Sequence, residues 1–127
     1  MAERKAAQGK APAYVYLWKA PSPAWDGRYG ATHATDVGPS MHEVRGALHG
    51  PNANSARLSD ELASVMVSFA TTGDPNNKYL PKWEPYESTR RMTMVFDNPA
   101  SHVDSDARGE FRKLWLQYPA GVTPRDE

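Results

Sequence analysis

Two short runs, Tyr14-Val15-Tyr16-Leu17-Trp18 and Met92-Thr93-Met94-Val95-Phe96, set the limits on what this chain can fold into. The first is β-branched and aromatic with no polar alternation. A strand with one wet face alternates apolar and polar residues; a continuous run is buried on both faces, as in the middle of a parallel sheet. Pro21 and Pro23 stop the first run, and the turn signal Asp97-Asn98-Pro99 closes the second. Two strands that both want neighbours make a poor sheet by themselves.

The segments around them supply the alternation. Ala2-Glu3-Arg4-Lys5-Ala6-Ala7-Gln8 is made of good helix formers, with Gly9 as a stop. Residues 1–12 therefore read as a helix remnant and a linker, too short to stand alone in water. Residues 20–54 hold no sustained period and are rich in Pro, Gly, Asp, Ser and His, the composition of a functional or mobile connection. The clearest helix follows. Asn54 or Ser55 is its expected cap, and Leu58, Leu62, Val65, Met66 and Phe69 recur on one face. Gly73 is the expected left-handed end, and Pro75 bars continuation.

Residues 76–91 read as a turn-rich surface segment, with Trp83 placed as a packing residue. A last helix is expected over residues 106–118, with Phe111, Leu114, Trp115 and Tyr118 on one stripe, and residues 119–127 as a frayed tail. The order helix, strand, long loop, helix, strand, helix is the α/β pattern. The expectation is a partial α/β sheet of about two parallel strands with flanking helices, completed by oligomerisation or by upstream sequence.

Composition narrows the function classes. The chain has 127 residues, room for one modest domain. Fifteen basic and fifteen acidic residues cancel, which gives no electrostatic reason to expect a nucleic-acid or acidic-membrane partner. There is no cysteine, so disulfides, thiolate catalysis and Cys-based metal sites are excluded. The first twelve residues lack the apolar core of a signal peptide, and no stretch approaches the ~20 apolar residues of a membrane helix. The compartment stays unknown.

Three blocks carry a family resemblance. Gly27-Arg28-Tyr29-Gly30-Ala31-Thr32-His33-Ala34-Thr35-Asp36 resembles the Gly-Ala-x-His-x-x-Glu/Asp segment of type-B carboxylesterases, the para-nitrobenzyl-esterase-like members of the α/β-hydrolase superfamily. Phe69-Ala70-Thr71-Thr72-Gly73-Asp74-Pro75-Asn76 is similar to the Phe-Ala-x-Thr-Gly-Asp-Pro-Asn ending of their C-terminal helix. Trp83-Glu84-Pro85-Tyr86, followed by Arg91-Met92-Thr93-Met94-Val95-Phe96-Asp97, resembles the approach to their last strand. The likeness runs over residues 2–118, so residues 1–127 are expected to be the C-terminal portion of a carboxylesterase domain. One departure follows the histidine, where the family's Pro-Phe-Val-Phe stretch is replaced by Val37-Gly38-Pro39-Ser40-Met41.

The resemblance implies hydrolysis of small carboxylic esters through an acyl-enzyme, with a serine nucleophile, a histidine that moves the proton, and an acid that orients it. His33 takes the histidine's role. Asp36 matches an acidic residue that is not the triad acid and is expected to support the loop. No Gly-x-Ser-x-Gly elbow and no His-Gly-Gly-Gly stretch occurs in the chain, so the serine, the acid and the oxyanion loop are expected upstream and activity alone to be weak or nil. No cofactor or metal is implied.

Blander readings stand beside these. A lone loop histidine is most often a surface residue, and Asp36 is by type a turn or cap residue. A metal-dependent hydrolase would have to use His33, Asp36, His42 and His49, whose spacings match no compact ligand pair. A site built from Ser40, His42, Ser101 or His102 has nothing in its spacing to favour it. The rival from another class is a non-catalytic homo-oligomerising module, which would pair through exposed strand edges.

Overall fold

A computed structural model of the chain describes residues 1–45, 48, 50 and 52–118. Its elements are α1 (Ala2–Ala7), β1 (Tyr16–Trp18), a 3₁₀ turn (Ala24–Gly27), α2 (Val37–Ser40), α3 (Ala53–Thr72), β2 (Met92–Phe96), β3 (His102–Ser105) and α4 (Gly109–Trp115). The expected tail, residues 119–127, and His49 lie outside the described residues. Among the described residues no helix is long and apolar enough to cross a membrane.

Among the described residues the sheet has three strands, in the order β1-β2-β3. β1 runs parallel to β2, with Leu17 opposite Val95 and Trp18 opposite Phe96. That is the expected parallel pair. β3 was not expected; it pairs antiparallel, with Val95 opposite His102 and Met94 opposite Val103. The sheet is therefore mixed, and β2 is its centre. Central position explains why Thr93, Met94, Val95 and Phe96 are all buried. β1 is shorter than its apolar run: Val15 still accepts a hydrogen bond from the Met94 N–H at 3.0 Å, while Tyr14 stands outside the ladder.

One face of the sheet is covered by α3. Leu58, Leu62 and Val65, spaced for one helical face, pack with Ala20, Trp83, Met94 and Phe96. Burying a side chain such as Leu62, fully enclosed here, contributes roughly 1.5–3 kcal/mol. The same stripe continues through Met66 and Phe69, yet these are 37% and 46% exposed. With Tyr14, Tyr16, Val65, Pro75 and Trp83 they line an apolar groove of about 150 Å³. The α4 stripe is likewise uncovered: Phe111, Leu114, Trp115 and Tyr118 are exposed. α4 is also shorter than expected, because Arg108 adopts a left-handed φ of 60° at its start.

The helix ends follow their chemistry. The α3 cap is Asn52, two residues before the earliest residue expected, and its side chain accepts from the Ser55 N–H at 3.0 Å. Asn52→Ala is expected to cost about 1 kcal/mol, seen as a lower urea midpoint with unchanged slope. At the other end Gly73 sits at φ 78° and donates its N–H to the Phe69 carbonyl. The residues that follow act as a joint. Asp74 accepts from the Asn76 N–H at 2.9 Å and from its side-chain amide at 2.6 Å. Asn76 then grips the Trp83 backbone twice, donating to its carbonyl at 2.8 Å and accepting from its N–H at 2.7 Å. This places Trp83 edge-on to Tyr14, with ring centroids 5.5 Å apart.

A buried ionic clasp ties α3 to the β2–β3 turn. Glu61 accepts from Arg57 Nη1 at 2.7 Å and from the Ser101 hydroxyl at 2.6 Å. Arg57 Nη2 donates to the Asp97 carbonyl at 2.8 Å and to Asn98 Oδ1 at 2.9 Å. Glu61 and Ser101 are both buried. Every oxygen of the buried carboxylate therefore has a donor, the condition for keeping a charge out of water.

Candidate active site

The loop after β1 carries the candidate site. It leaves the sheet at Trp18, and the Lys19 and Ala20 N–H groups both donate to the Phe96 carbonyl at the end of β2. It then passes through the 3₁₀ turn, whose Trp25 and Asp26 sit at positive φ of 50° and 56°. Trp25 and Tyr29 are exposed and pack edge-on at 5.6 Å. His33 opens a turn over residues 33–36 and is exposed.

That turn is closed by its own backbone and by one inward side chain. The Thr35 N–H and hydroxyl both donate to the Thr32 carbonyl, at 3.3 Å and 2.8 Å. Thr35 is 1% exposed, so the residue two after His33 is anchored in the interior. Asp36 precedes α2 and is half-buried; its Oδ2 accepts from the Tyr16 hydroxyl at 2.7 Å. Burial first, then the Asp36 hydrogen bond and charge, push the Tyr16 phenol up to about 12 from 10.0. Burial, and to a smaller extent the Asp74 charge, raises Tyr14 as well. A phenol that holds its proton more tightly when folded supports folding while protonated. That support is full below pH 10 and is lost as the pH rises through about 12. Alkaline unfolding monitored by circular dichroism is thus expected to begin above pH 10, with Tyr16→Phe blunting the pH dependence.

Beside the turn lies a cleft of about 440 Å³ at the C-terminal ends of β1 and β2. Trp18, Ala20, Ser22, Thr35, Pro39 and Asn98 line it, together with the first turn of α3. Thr35 thus belongs to both the turn and the cleft, while His33 is not among the lining residues. In open α/β sheets ligands bind outside the carboxyl ends of the parallel strands, the side on which this cleft and the His33 loop both fall.

The other polar residues weighed from the sequence go elsewhere. His42 Nε2 pairs with Asp60 on α3 at 2.8 Å, in an exposed contact of the kind that contributes little. Ser40 donates to the Val37 carbonyl, Ser101 serves the Glu61 clasp, and His102 lies exposed on β3. Among the described residues no three His, Cys, Asp or Glu side chains lie close enough to hold a metal ion. Sequence reasoning missed Tyr16 as a partner of Asp36, because an aromatic inside an apolar strand carries no signal for a polar role.

The fold is the partial sheet of an α/β-hydrolase. Residues 1–115 match the model of the carboxylesterase family, and the chain belongs to that family. It is 29% identical over 106 residues to human Carboxylesterase 3, which covers 80% of this chain and 18% of that protein. The carboxylesterase EST55 of Geobacillus stearothermophilus is 33% identical with a TM-score of 0.75, over 90% of this chain and 24% of its own. An esterase of Clostridium hathewayi that hydrolyses aliphatic aromatic polyesters superposes with a TM-score of 0.77 at 23% identity, over 90% and 23%. The chain thus spans about a quarter or less of these relatives.

Proposed function

We propose that this chain is the C-terminal part of a carboxylic-ester hydrolase and supplies its catalytic histidine, His33. The observation that carries the reading is the placement of Gly30-Ala31-Thr32-His33-Ala34-Thr35-Asp36: an anchored turn with an exposed imidazole, on the loop that leaves the C-terminal end of a parallel strand. As a neutral base the imidazole takes the proton of a serine hydroxyl, and as imidazolium it returns that proton to the leaving alcohol. Asp36 supports the turn rather than orienting the ring. The serine elbow and the triad acid come from the rest of the hydrolase, since the chain has no Gly-x-Ser-x-Gly.

Completion of the sheet belongs to the same reading. Among the described residues β1 is paired only on its β2 side, and the apolar groove of Tyr14, Tyr16, Met66 and Phe69 flanks it. These are the surfaces that an upstream strand and its helix would cover. A second reading rests on the same open edge: separate copies associate through β1 and the histidine is idle. Turnover of p-nitrophenyl butyrate by the full-length hydrolase that carries this chain, native and His33→Ala, tests the first reading. Undiminished turnover in the variant would end it. Sedimentation of the isolated chain as a dimer, with no esterase activity in the full-length protein, would establish the second.

A further inference from the structure

The turn that opens at His33 does not hold its shape by local preference. Ala34, next to the histidine, sits at φ 66°, a left-handed conformation that residues with a Cβ disfavour. Its anchors must therefore set it. One is internal, the buried Thr35 bonded to the Thr32 carbonyl. The other crosses to the sheet, where the Tyr16 hydroxyl donates to Asp36 at 2.7 Å over a separation of 20 positions. Among the described residues no other side chain is hydrogen-bonded or ion-paired to the Asp36 carboxylate.

Tyr16 suits that task. Its backbone is in the β1 ladder opposite Met94, and its ring stands edge-on to the fully buried Phe96, with centroids 5.7 Å apart. The phenol is thereby fixed at both ends, by the sheet and by the carboxylate. Asp36 passes the constraint on, since its carbonyl accepts from the Ser40 N–H at 2.9 Å and starts α2. Resting on the reading of His33 as the proton shuttle, we infer that Tyr16 is a positioning residue, which through Asp36 fixes the turn that aims the imidazole. It touches no substrate. Its proton stays on the oxygen throughout the range in which an imidazole cycles, so the donor is never lost.

The test is a double-mutant cycle in the full-length hydrolase. Tyr16→Phe and Asp36→Ala are each expected to lower kcat on the order of tenfold, with KM unchanged within about twofold. The double variant is expected to be no worse than either single one, because both remove the same link. Asp36→Asn keeps an acceptor oxygen and is expected to retain most of kcat. Full kcat in Tyr16→Phe, additive losses, or a loss confined to KM would overturn the inference. Amide exchange in the 127-residue chain gives an independent readout: Tyr16→Phe should accelerate it at residues 33–36 and leave α3 unchanged. Acceleration throughout α3 would mean that Tyr16 serves the core instead. His33→Ala separates the two levels. If that variant is inactive and Tyr16→Phe is fully active, only the positioning role falls; if it is active, the catalytic reading falls and takes this role with it.

Discussion

In the full-length hydrolase, His33→Ala is expected to lower kcat for a p-nitrophenyl ester by roughly 10⁴- to 10⁶-fold, with KM little changed. The size follows from the task. On the proposed reading of His33 as the proton shuttle, loss of the imidazole would leave the serine hydroxyl protonated and the leaving alcohol without a donor, so both halves of an acyl-enzyme cycle would slow. Binding would be spared, because a histidine in that role acts on the reacting atoms in the transition state. His42→Ala is the matched control: its imidazole is exposed, pairs among the described residues with Asp60, and should change turnover by less than about twofold. A loss of the same size in both variants would show that the loop, rather than one imidazole, is being damaged. The isolated chain should show no turnover above background in either form.

The second large effect concerns folding. Glu61→Ala is expected to destabilise the chain by about 3–5 kcal/mol, measured as the shift in urea unfolding. The carboxylate is not there for attraction alone. It receives Arg57 on one oxygen and Ser101 on the other, in a buried position between α3 and the β2–β3 turn. Deleting it takes the acceptor from Arg57 Nη1 and from the buried Ser101 hydroxyl, while Arg57 Nη2 keeps Asp97 and Asn98, and domains are stable by only about 5–15 kcal/mol in total. Glu61→Gln keeps an oxygen for one donor and should lose less. A shift under about 1 kcal/mol for Glu61→Ala would mean that water replaces the carboxylate freely and that the clasp is a surface pair in effect.

How far the sequence reached can be judged residue by residue. The α3 helix was legible because its stripe and its Gly73 ending are local signals, satisfied by the helix itself. Its start was misplaced by two residues, because Asn52, Asn54 and Ser55 are all competent caps and only the backbone decides which one turns. β2 was legible as a run closed by Asp97-Asn98-Pro99, but the burial on both faces expected of the first run is met by β2 instead: β1 is an edge, with Tyr16 exposed and Leu17 and Trp18 half-buried. β3 was not: His102-Val103-Asp104-Ser105 has one apolar residue in four and forms a strand by pairing with β2, a long-range cause with no periodic trace. The expected α4 stripe exists but stays exposed, with Trp115 and Tyr118 packed only against each other among the described residues. At the site, His33 and Asp36 were placed by family resemblance. The cleft of Trp18, Thr35 and Asn98 and the role of the Tyr16 hydroxyl depend on contacts between distant segments, and so became visible only in three dimensions.

The antiparallel β3 makes the two borders of the sheet unequal. Its outer side carries no strand among the described residues, but it is short and presents His102, Asp104 and Ser105 to water, a polar border of the kind that discourages further pairing. Among the described residues the more receptive border is β1. A molecule with one receptive border consumes it in a single encounter, whether the newcomer is a neighbouring strand of the same hydrolase or another copy of the chain. Strand addition at β1 would leave only the polar β3 border outward, which disfavours growth into a fibre.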